Sequence, residues 1–97
     1  MGFFRPDVPP HVAEVIRRLP PDLKRSVKQA VRALTANPDA GEPLRRELRG
    51  LWKYRVTRFR IAYTVDRARR SLRILAVGDR RGIYEAVAEE LRSKGSG

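Results

Sequence analysis

The segment from Leu51 to Tyr84 constrains the fold more than any other, because its apolar and polar residues alternate with a period of two. This period is typical of β-strands, whose successive side chains point to opposite faces of a sheet. Three consecutive strands with short turns are therefore predicted. In the first two, one face is apolar (Trp52, Tyr54, Val56, Phe59, Ile61, Tyr63, Val65) and the other carries Lys53, Arg55, Thr57, Arg60, Ala62 and Thr64. The pattern predicts a sheet with one buried face and one basic face that meets solvent or a ligand.

The flanking segments predict helices. Apolar residues recur at helical spacing in residues 9–19 and 21–36, each segment opened by proline, and again after Gly82. Residues 2–8 form either a short edge strand or an arm over the core, and residues 38–50 form a connection. Because Thr57 and Arg58 are poor residues for a two-residue hairpin turn, a wider loop is expected there. The order of elements predicts an α+β fold, in which a helical hairpin packs on a mainly antiparallel sheet of three or four strands with a short C-terminal helix.

The positive charge is concentrated in the strand region. The chain has a formal net charge of +11, and residues 44–81 contribute thirteen basic and three acidic side chains. A solvated face on an arginine-rich protein explains a high arginine content but not this segregation. Cations gathered in one region repel one another, which favours a polyanion or an acidic protein as the partner.

Composition excludes several classes of function. The chain has no cysteine and one histidine, so disulfides, thiolate metal sites and paired-histidine catalysis are excluded. It has no phosphate-binding loop, no cofactor fingerprint and no run of apolar residues long enough to span a membrane. We expect a single domain over residues 1–97, with residues 95–97 a frayed tail or cloning remnant. We also expect a cytoplasmic protein without a cofactor, a metal or a membrane partner.

The strongest candidate for a binding site is a group of cations on the sheet. If the turn is tight, Arg55 lies opposite Arg60, and Lys53 lies one step along the same face. Like charges opposed across two strands destabilise a sheet, whereas a phosphate site would require them. Arg80 follows the third strand, beside a helix N-terminus that attracts anions. Tyr84, in the first turn of that helix, is either part of this site or an ordinary amphipathic side chain at the sheet edge.

Three motifs resemble the RelE/ParE superfamily of toxin–antitoxin toxins. They are PLRRELRGLWKYRV, FRIAYTVD and ILAVGDRRGIY, and the resemblance extends over residues 9–91. It implies a compact toxin with a helical pair over a curved antiparallel sheet, held by a cognate antitoxin protein. It also implies, for the RelE-type branch, a ribosome-dependent endoribonuclease that cleaves mRNA in the A site by attack of the 2′-hydroxyl on the phosphodiester.

The resemblance also implies roles for individual residues. The catalytic positions of the family match Lys53, Arg55, Arg60, Arg80 and Tyr84, and a glutamate that some relatives use as a base or orienting group matches Glu42. The chain has Lys53 followed by Arg55 where RelE-type strands usually have two lysines. Candidate RNA-binding residues in the same basic region are Arg45, Arg46, Arg49, Arg58 and Arg81.

Two other functions remain open at this level. One is a non-catalytic ParE-type toxin that poisons DNA gyrase, and the other is a module that binds nucleic acid without cleaving it. If the protein is a ribosome-dependent endoribonuclease, its expected partners are the antitoxin, the ribosome and mRNA.

Overall fold

A computed structural model describes residues 3–45 and 50–95, the last three of these by their backbone only. The elements in chain order are β1 (Arg5–Asp7), α1 (Pro10–Arg17), α2 (Pro21–Ala36), a 3-10 turn (Pro38–Ala40), β2 (Glu42–Pro43), β3 (Trp52–Val56), β4 (Phe59–Asp66), β5 (Ser71–Asp79) and α3 (Gly82–Gly95). This order confirms the predicted α+β class. No helix in the described part of the chain is long and apolar enough to cross a membrane.

The sheet has five strands in the order β1-β5-β4-β3-β2, so the predicted count of three or four was too low. β1 pairs with β5 in parallel, and every other pairing is antiparallel. Of the two alternatives for the N-terminal segment, the structure forms the edge strand, Arg5–Asp7. β2 was not predicted, because it has only two residues, Glu42 and Pro43, which pair with Lys53 and Trp52. Two residues cannot show alternation, and proline is tolerated there because β2 lies at an edge.

The helical hairpin covers one face of the sheet, as predicted. Prolines occupy the first turn of both α1 and α2, where a missing N–H costs nothing. The apolar stripes of the two helices pack on the apolar face of β3, β4 and β5, and the buried residues of this core include Val12, Ile16, Val27, Leu34, Val56, Ile61, Tyr63, Leu72 and Ile74. The period-two alternation therefore identified the buried face correctly.

The opposite face carries a second, smaller core beneath α3. Ile83 and Val87 of the helix pack on Ala62, Leu75 and Ala76 of β4 and β5, and Leu51 joins them. This is the face that bears Lys53, Arg55 and Arg60, so it is only partly open to solvent. The helix packs mainly on β5, and of the two cations of β3 Arg55 is exposed and Lys53 is half-buried.

An irregularity in the sheet explains why β5 is apolar on both sides. The pairing of β4 with β5 shifts between Ala62 and Tyr63, so that Tyr63 pairs with Ile74 and Ala62 with Ala76. Leu75 is the extra residue, and such a bulge bends the strand and increases its twist. As a result, Leu75 and Ala76 both belong to the core under α3.

Tyr63 fixes the connection between α2 and β2 to the sheet. Its hydroxyl donates a hydrogen bond to the backbone oxygen of Pro38 (2.8 Å) and accepts one from the backbone N–H of Gly41 (3.1 Å). A Cβ atom at Gly41 would lie 2.7 Å from the backbone oxygen of Lys53, so this position requires glycine. The Tyr63 side chain is fully buried, and burial raises the pKa of its phenol from 10.0 to about 12.

The turn between β3 and β4 has only two residues, so the expected wider loop was wrong. Val56 pairs with Phe59 and closes the hairpin around Thr57 and Arg58. Thr57 therefore lies in the turn rather than on the strand, with a φ of 53°. The left-handed region is unfavourable for a β-branched residue. The strand pairing and the two cores override the poor turn propensity.

Replacing Thr57 by Asn should stabilise the protein. Asparagine tolerates positive φ, so we expect Thr57→Asn to raise the free energy of unfolding by about 1 kcal/mol. Urea denaturation followed by tryptophan fluorescence measures this change. Arg58→Asn is the matched control, because Arg58 is not among the described residues with positive φ, and it should bring no gain. Equal effects of the two substitutions would contradict the strain at Thr57.

Replacing Tyr63 by Phe should destabilise the protein by about 1–3 kcal/mol at pH 8, because Pro38 and Gly41 each lose a hydrogen-bond partner. The difference should depend on pH. With a pKa of 10.0 unfolded and about 12 folded, the contribution of the Tyr63 phenol is complete below pH 10 and is lost as the pH rises toward 12, by about 1.4 kcal/mol per pH unit. Unfolding of both proteins between pH 8 and 11 measures the difference. A gap that stays constant over this range would show that Tyr63 is not protected by burial.

Candidate nucleic-acid interface

The centre of the candidate site is a row of three residues across the sheet. Arg55 on β3 lies directly opposite Arg60 on β4, and Arg60 lies opposite Gly78 on β5. The tight hairpin therefore produces the arrangement that the sequence predicted on the condition of a tight turn. Residues directly opposite each other have Cβ atoms about 5 Å apart. Because they are paired in this way, the two side chains extend from adjacent points on the same face. Arg55 is exposed and Arg60 is half-buried.

Gly78 brings the start of α3 to this row. A Cβ atom at Gly78 would lie 3.2 Å from the backbone nitrogen of Ile83 and 3.4 Å from the carbonyl carbon of Gly82. The first turn of the helix therefore lies directly on the strand backbone. Since neighbouring strands are about 4.8 Å apart, this helix N-terminus is one strand away from Arg60. A side chain at residue 78 would make this contact tight, and the start of α3 would have to shift slightly.

Arg80 and Arg81 form the turn that joins β5 to α3, and both are exposed. Arg58 lies in the β3–β4 turn, at the same end of the sheet, because Phe59 pairs with Asp79. The guanidinium carbon of Arg58 is 5.9 Å from the centre of the Phe59 ring. Two turns thus bring three further arginines to the end of the sheet where Arg55 and Arg60 lie.

The N-terminus of α3 is partly satisfied by the chain itself. The carboxylate of Asp79 accepts a hydrogen bond from the backbone N–H of Gly82 (2.7 Å). This bond fixes the turn that contains Arg80 and Arg81 and occupies one of the N–H groups that would otherwise attract an anion. The arginine side chains, rather than this N–H, are therefore the groups available to a phosphate.

Tyr84 and Lys53 flank the row on different sides. Tyr84 is in the first turn of α3, one residue after the buried Ile83, and 47% of it is exposed. Lys53 is half-buried and lies two residues before Arg55 on the same face of β3. Glu42 of β2 is exposed and is paired with Lys53, so an acidic residue lies next to the lysine in the sheet.

The cations of the row and its neighbours Lys53 and Arg80 are not neutralised by acids of the described chain. Ion pairs there join Glu14 to Arg17 and Arg18 (3.6 Å to the latter), Asp39 to Arg67, Asp7 to Arg73 (3.4 Å) and Glu89 to Arg92, and the carboxylate of Glu90 lies 3.0 Å from Nε2 of His11. Lys53, Arg55, Arg60 and Arg80 take part in none of these. The charge that the fold leaves uncompensated on this face is available to an external anion.

The predicted RNA-binding arginines do not all lie together. Arg58 and Arg81 are close in the fold to the row, whereas Arg45 follows β2 near Leu51, at the opposite end of β3. Arg46 and Arg49 lie outside the described residues. Within residues 3–45 and 50–95, no group of three His, Cys, Asp or Glu side chains is arranged to hold a metal ion.

Two residues that position the site were not identified from the sequence. Gly78 carries no charge, but a glycine inside a strand pattern is a known sign of close backbone approach. Asp79 precedes the predicted helix, and aspartate is a common capping residue at such a point. Both signals were present in the sequence.

A family model described as the ParE-like toxin of type II bacterial toxin–antitoxin systems matches residues 8–88. A search of curated proteins found no significant match.

Several solved structures share the fold. A chain of the RelBE2 toxin–antitoxin complex from Mycobacterium tuberculosis is 29% identical, with a TM-score of 0.74 over 82% of this chain and 94% of that chain. A free Escherichia coli RelE variant with two arginine-to-alanine substitutions is 16% identical, with a TM-score of 0.76 over 95% and 98%. A chain of the archaeal RelE–RelB complex from Pyrococcus horikoshii is 20% identical, with a TM-score of 0.69 over 82% of this chain and 98% of that chain.

The family match extends over most of the chain and includes α1, α2, the first half of α3, the sheet from β2 to β5 and the row of Arg55, Arg60 and Gly78. The chain therefore belongs to the ParE-like toxins of type II bacterial toxin–antitoxin systems, within the RelE/ParE superfamily.

Proposed function

We propose that this toxin is an endoribonuclease that cleaves mRNA in the ribosomal A site. The observation that carries the proposal is the pairing of Arg55 with Arg60, without a compensating acid among the described residues, beside the start of α3. An opposed pair of cations has no benefit for the stability of a sheet, whereas two guanidinium groups side by side match the oxygens of a phosphodiester.

In the proposed reaction the 2′-hydroxyl of one nucleotide attacks the adjacent phosphorus. A new bond forms between the 2′-oxygen and phosphorus, and the bond from phosphorus to the 5′-oxygen of the next nucleotide breaks. The products are a 2′,3′-cyclic phosphate and a 5′-hydroxyl. Arg55 and Arg60 stabilise the negative charge that grows on the phosphoryl oxygens. Arg80 donates a hydrogen bond to the leaving 5′-oxygen from the turn before α3, and that oxygen takes its proton from water.

The proton of the 2′-hydroxyl passes to a group at the rim of the row. Lys53 and Tyr84 are the family-matched candidates, and they approach from β3 and from α3 respectively. Glu42, opposite Lys53, is a carboxylate that can accept the proton itself or hold the lysine in place. The arginines cannot serve as this base, because guanidinium stays protonated in proteins.

The proposed partners are a cognate antitoxin, the ribosome and mRNA. The antitoxin is supported by the family match and by the RelE–RelB complexes that share the fold. The ribosome would supply the substrate alignment that a shallow, open row of cations lacks, because a positioned 2′-hydroxyl lowers the barrier without a strong base.

The second candidate is gyrase inhibition without catalysis. It is favoured by the family model, which is named for ParE, and by an arginine at residue 55 where RelE-type strands usually have lysine. A gyrase inhibitor would not need the cations and Tyr84 as a set. Induction of the toxin separates the two, since a nuclease stops translation whereas a gyrase poison causes DNA damage.

Replacing Arg80 by Ala should abolish growth arrest and lower the rate of mRNA cleavage by about 10²- to 10³-fold, the usual cost of removing one donor at a developing charge. The measurement is the yield of 5′-hydroxyl ends from mRNA on programmed ribosomes. Arg69→Ala is the matched control, because Arg69 is an exposed turn cation at the opposite end of β4 and β5. Full cleavage by a folded Arg80→Ala protein would refute the role of Arg80.

Replacing Arg55 by Gln should uncouple stability from activity. Removing one of two opposed charges should raise the free energy of unfolding by up to ~1 kcal/mol, which corresponds to roughly 4–8 °C in Tm. The same change should slow cleavage, because a phosphate ligand is lost. Thermal unfolding at low salt and the cleavage assay together provide the test. A variant that is both less stable and fully active would show that the pair is structural.

A further inference from the structure

The charge that the candidate site does not use is concentrated on α2. The helix carries four cations, Lys24, Arg25, Lys28 and Arg32, and a single acid, Asp22. We name these four cations the α2 basic stripe. Arg25, Lys28 and Arg32 are exposed and Lys24 is half-buried, and none of the four forms an ion pair within the described part of the chain.

The spacing of the stripe puts like charges next to one another. Lys28 is four residues after Lys24, four before Arg32 and three after Arg25, so it has three cationic neighbours on the helix surface. Like charges at these spacings destabilise a helix. The cations of α1 differ, because Arg17 and Arg18 both lie near the carboxylate of Glu14.

The stripe lies on the far side of the molecule from the cationic row. Leu23, Val27 and Leu34 of α2 are buried against the sheet, so the stripe points away from it. Arg55 and Arg60 lie on the opposite face, with α3. The molecule measures 34 × 34 × 23 Å, and the sheet separates the two surfaces. A single phosphate cannot contact both.

We propose that the α2 basic stripe is a second binding surface that docks the phosphate backbone of double-stranded RNA. It extends the proposed function, since a toxin that cuts one strand at the cationic row can be held at the same time by a neighbouring RNA helix. From Lys24 to Arg32 the stripe is about 12 Å long, because a helix rises about 1.5 Å per residue. A row of this length suits a polymer of phosphates better than a single small anion.

The composition of the surface favours a duplex over a single strand as the ligand. Its shallow depression, of about 460 Å³, is lined by Pro21, Lys24, Arg25, Lys28, Gln29 and Arg32. None of these lining residues is aromatic, and single-stranded bases are bound mainly by stacking on aromatic rings. Contacts from lysine and arginine to phosphates alone are the mode by which duplex RNA is recognised by shape.

An acidic amphipathic protein segment is the competing ligand, because Lys24, Lys28 and Arg32 also border a groove between α1 and α2. The floor of that groove has Ile16, only 8% exposed, and the half-buried Val8 and Val31. The large apolar residues that are exposed in the described chain are Phe3, Val15, Tyr84 and Leu91, and none of them lines the groove. An amphipathic helix would therefore meet no large exposed apolar side chain there.

The test is binding of an RNA duplex of about 16 base pairs, with 2′-O-methyl groups to prevent cleavage, over a range of salt concentrations. The stripe variant carries Lys24→Gln, Arg25→Gln, Lys28→Gln and Arg32→Gln. We expect its affinity at 100 mM salt to fall at least ~10-fold, and the slope of log affinity against log salt to decrease by about 2 to 4. The control has the same net charge and carries Arg17→Gln, Arg18→Gln, Arg67→Gln and Arg92→Gln, whose cations are already ion-paired. It should keep most of the slope.

A second variant, with Lys24→Arg and Lys28→Arg, keeps the charge and should keep duplex binding, which separates loss of charge from loss of fold. Equal slopes in wild type and stripe variant would overturn the proposal. So would an unchanged duplex affinity with lost binding of an acidic helical peptide, which would assign the stripe to a protein partner. The nuclease proposal fails separately, because Arg80→Ala tests cleavage and should leave duplex affinity within about twofold.

Discussion

The contact between the first turn of α3 and Gly78 brings the helix start to the strand row that holds Arg55 and Arg60. A Cβ atom at residue 78 would lie 3.2 Å from the backbone nitrogen of Ile83, so the helix start would have to shift to admit a side chain. Ile83 and Val87, which pack with Ala62 and Leu75 in the second core, would move with it. The turn that carries Arg80 and Arg81 is tied to the same contact, because Asp79 holds the N–H of Gly82. The second core and the α3 side of the candidate site therefore share one close backbone approach.

The two faces of the sheet divide the tasks of stability and function. The face under α1 and α2 buries most of the large apolar side chains, including the fully buried Tyr63 with its two hydrogen bonds to the connection before β2. That core can tolerate the repulsion between Arg55 and Arg60 on the other face. An opposed cation pair costs up to ~1 kcal/mol, which is small compared with the burial of even one large apolar side chain, about 1.5–3 kcal/mol. The fold can thus hold a pair of charges that an isolated hairpin would not.

The sequence predicted the fold where a local pattern had only one structural solution. The alternation in β3 and β4 identified the strands and the buried face, and prolines marked the helix starts. Prediction from the sequence failed where pairing between distant segments decided the structure. β2 exists only because Glu42 and Pro43 pair with β3, and the tight turn at Thr57 forms because the strands on either side are held by two cores. Turn propensity alone could not reveal this.

Part of the arrangement of the candidate site was predictable and part was not. Alternation placed Lys53, Arg55 and Arg60 on one face with Arg55 opposite Arg60 in a tight turn, and the end of the third strand added Arg80 and, as one of two alternatives, Tyr84. No sequence rule stated which face of the sheet α3 would cover, because the spacing of Ile83 and Val87 shows that the helix has an apolar side but not what that side packs against. The glycine at residue 78, read as a place of close approach, was the one local sign that the helix would lie beside Arg60.

The distribution of acids shows which cations the fold itself uses. Glu14, Asp39, Asp7 and Glu89 each neutralise nearby arginines, and these pairs hold α1, the turn after β4, the β1–β5 edge and α3. Asp79 and Asp66 accept backbone N–H groups instead. The chain has 22 basic and 11 acidic residues, so half of its cations must remain uncompensated wherever the acids lie. Their concentration on one sheet face and on the outer side of α2, rather than an even spread, is what argues for two anionic contacts instead of general solvation.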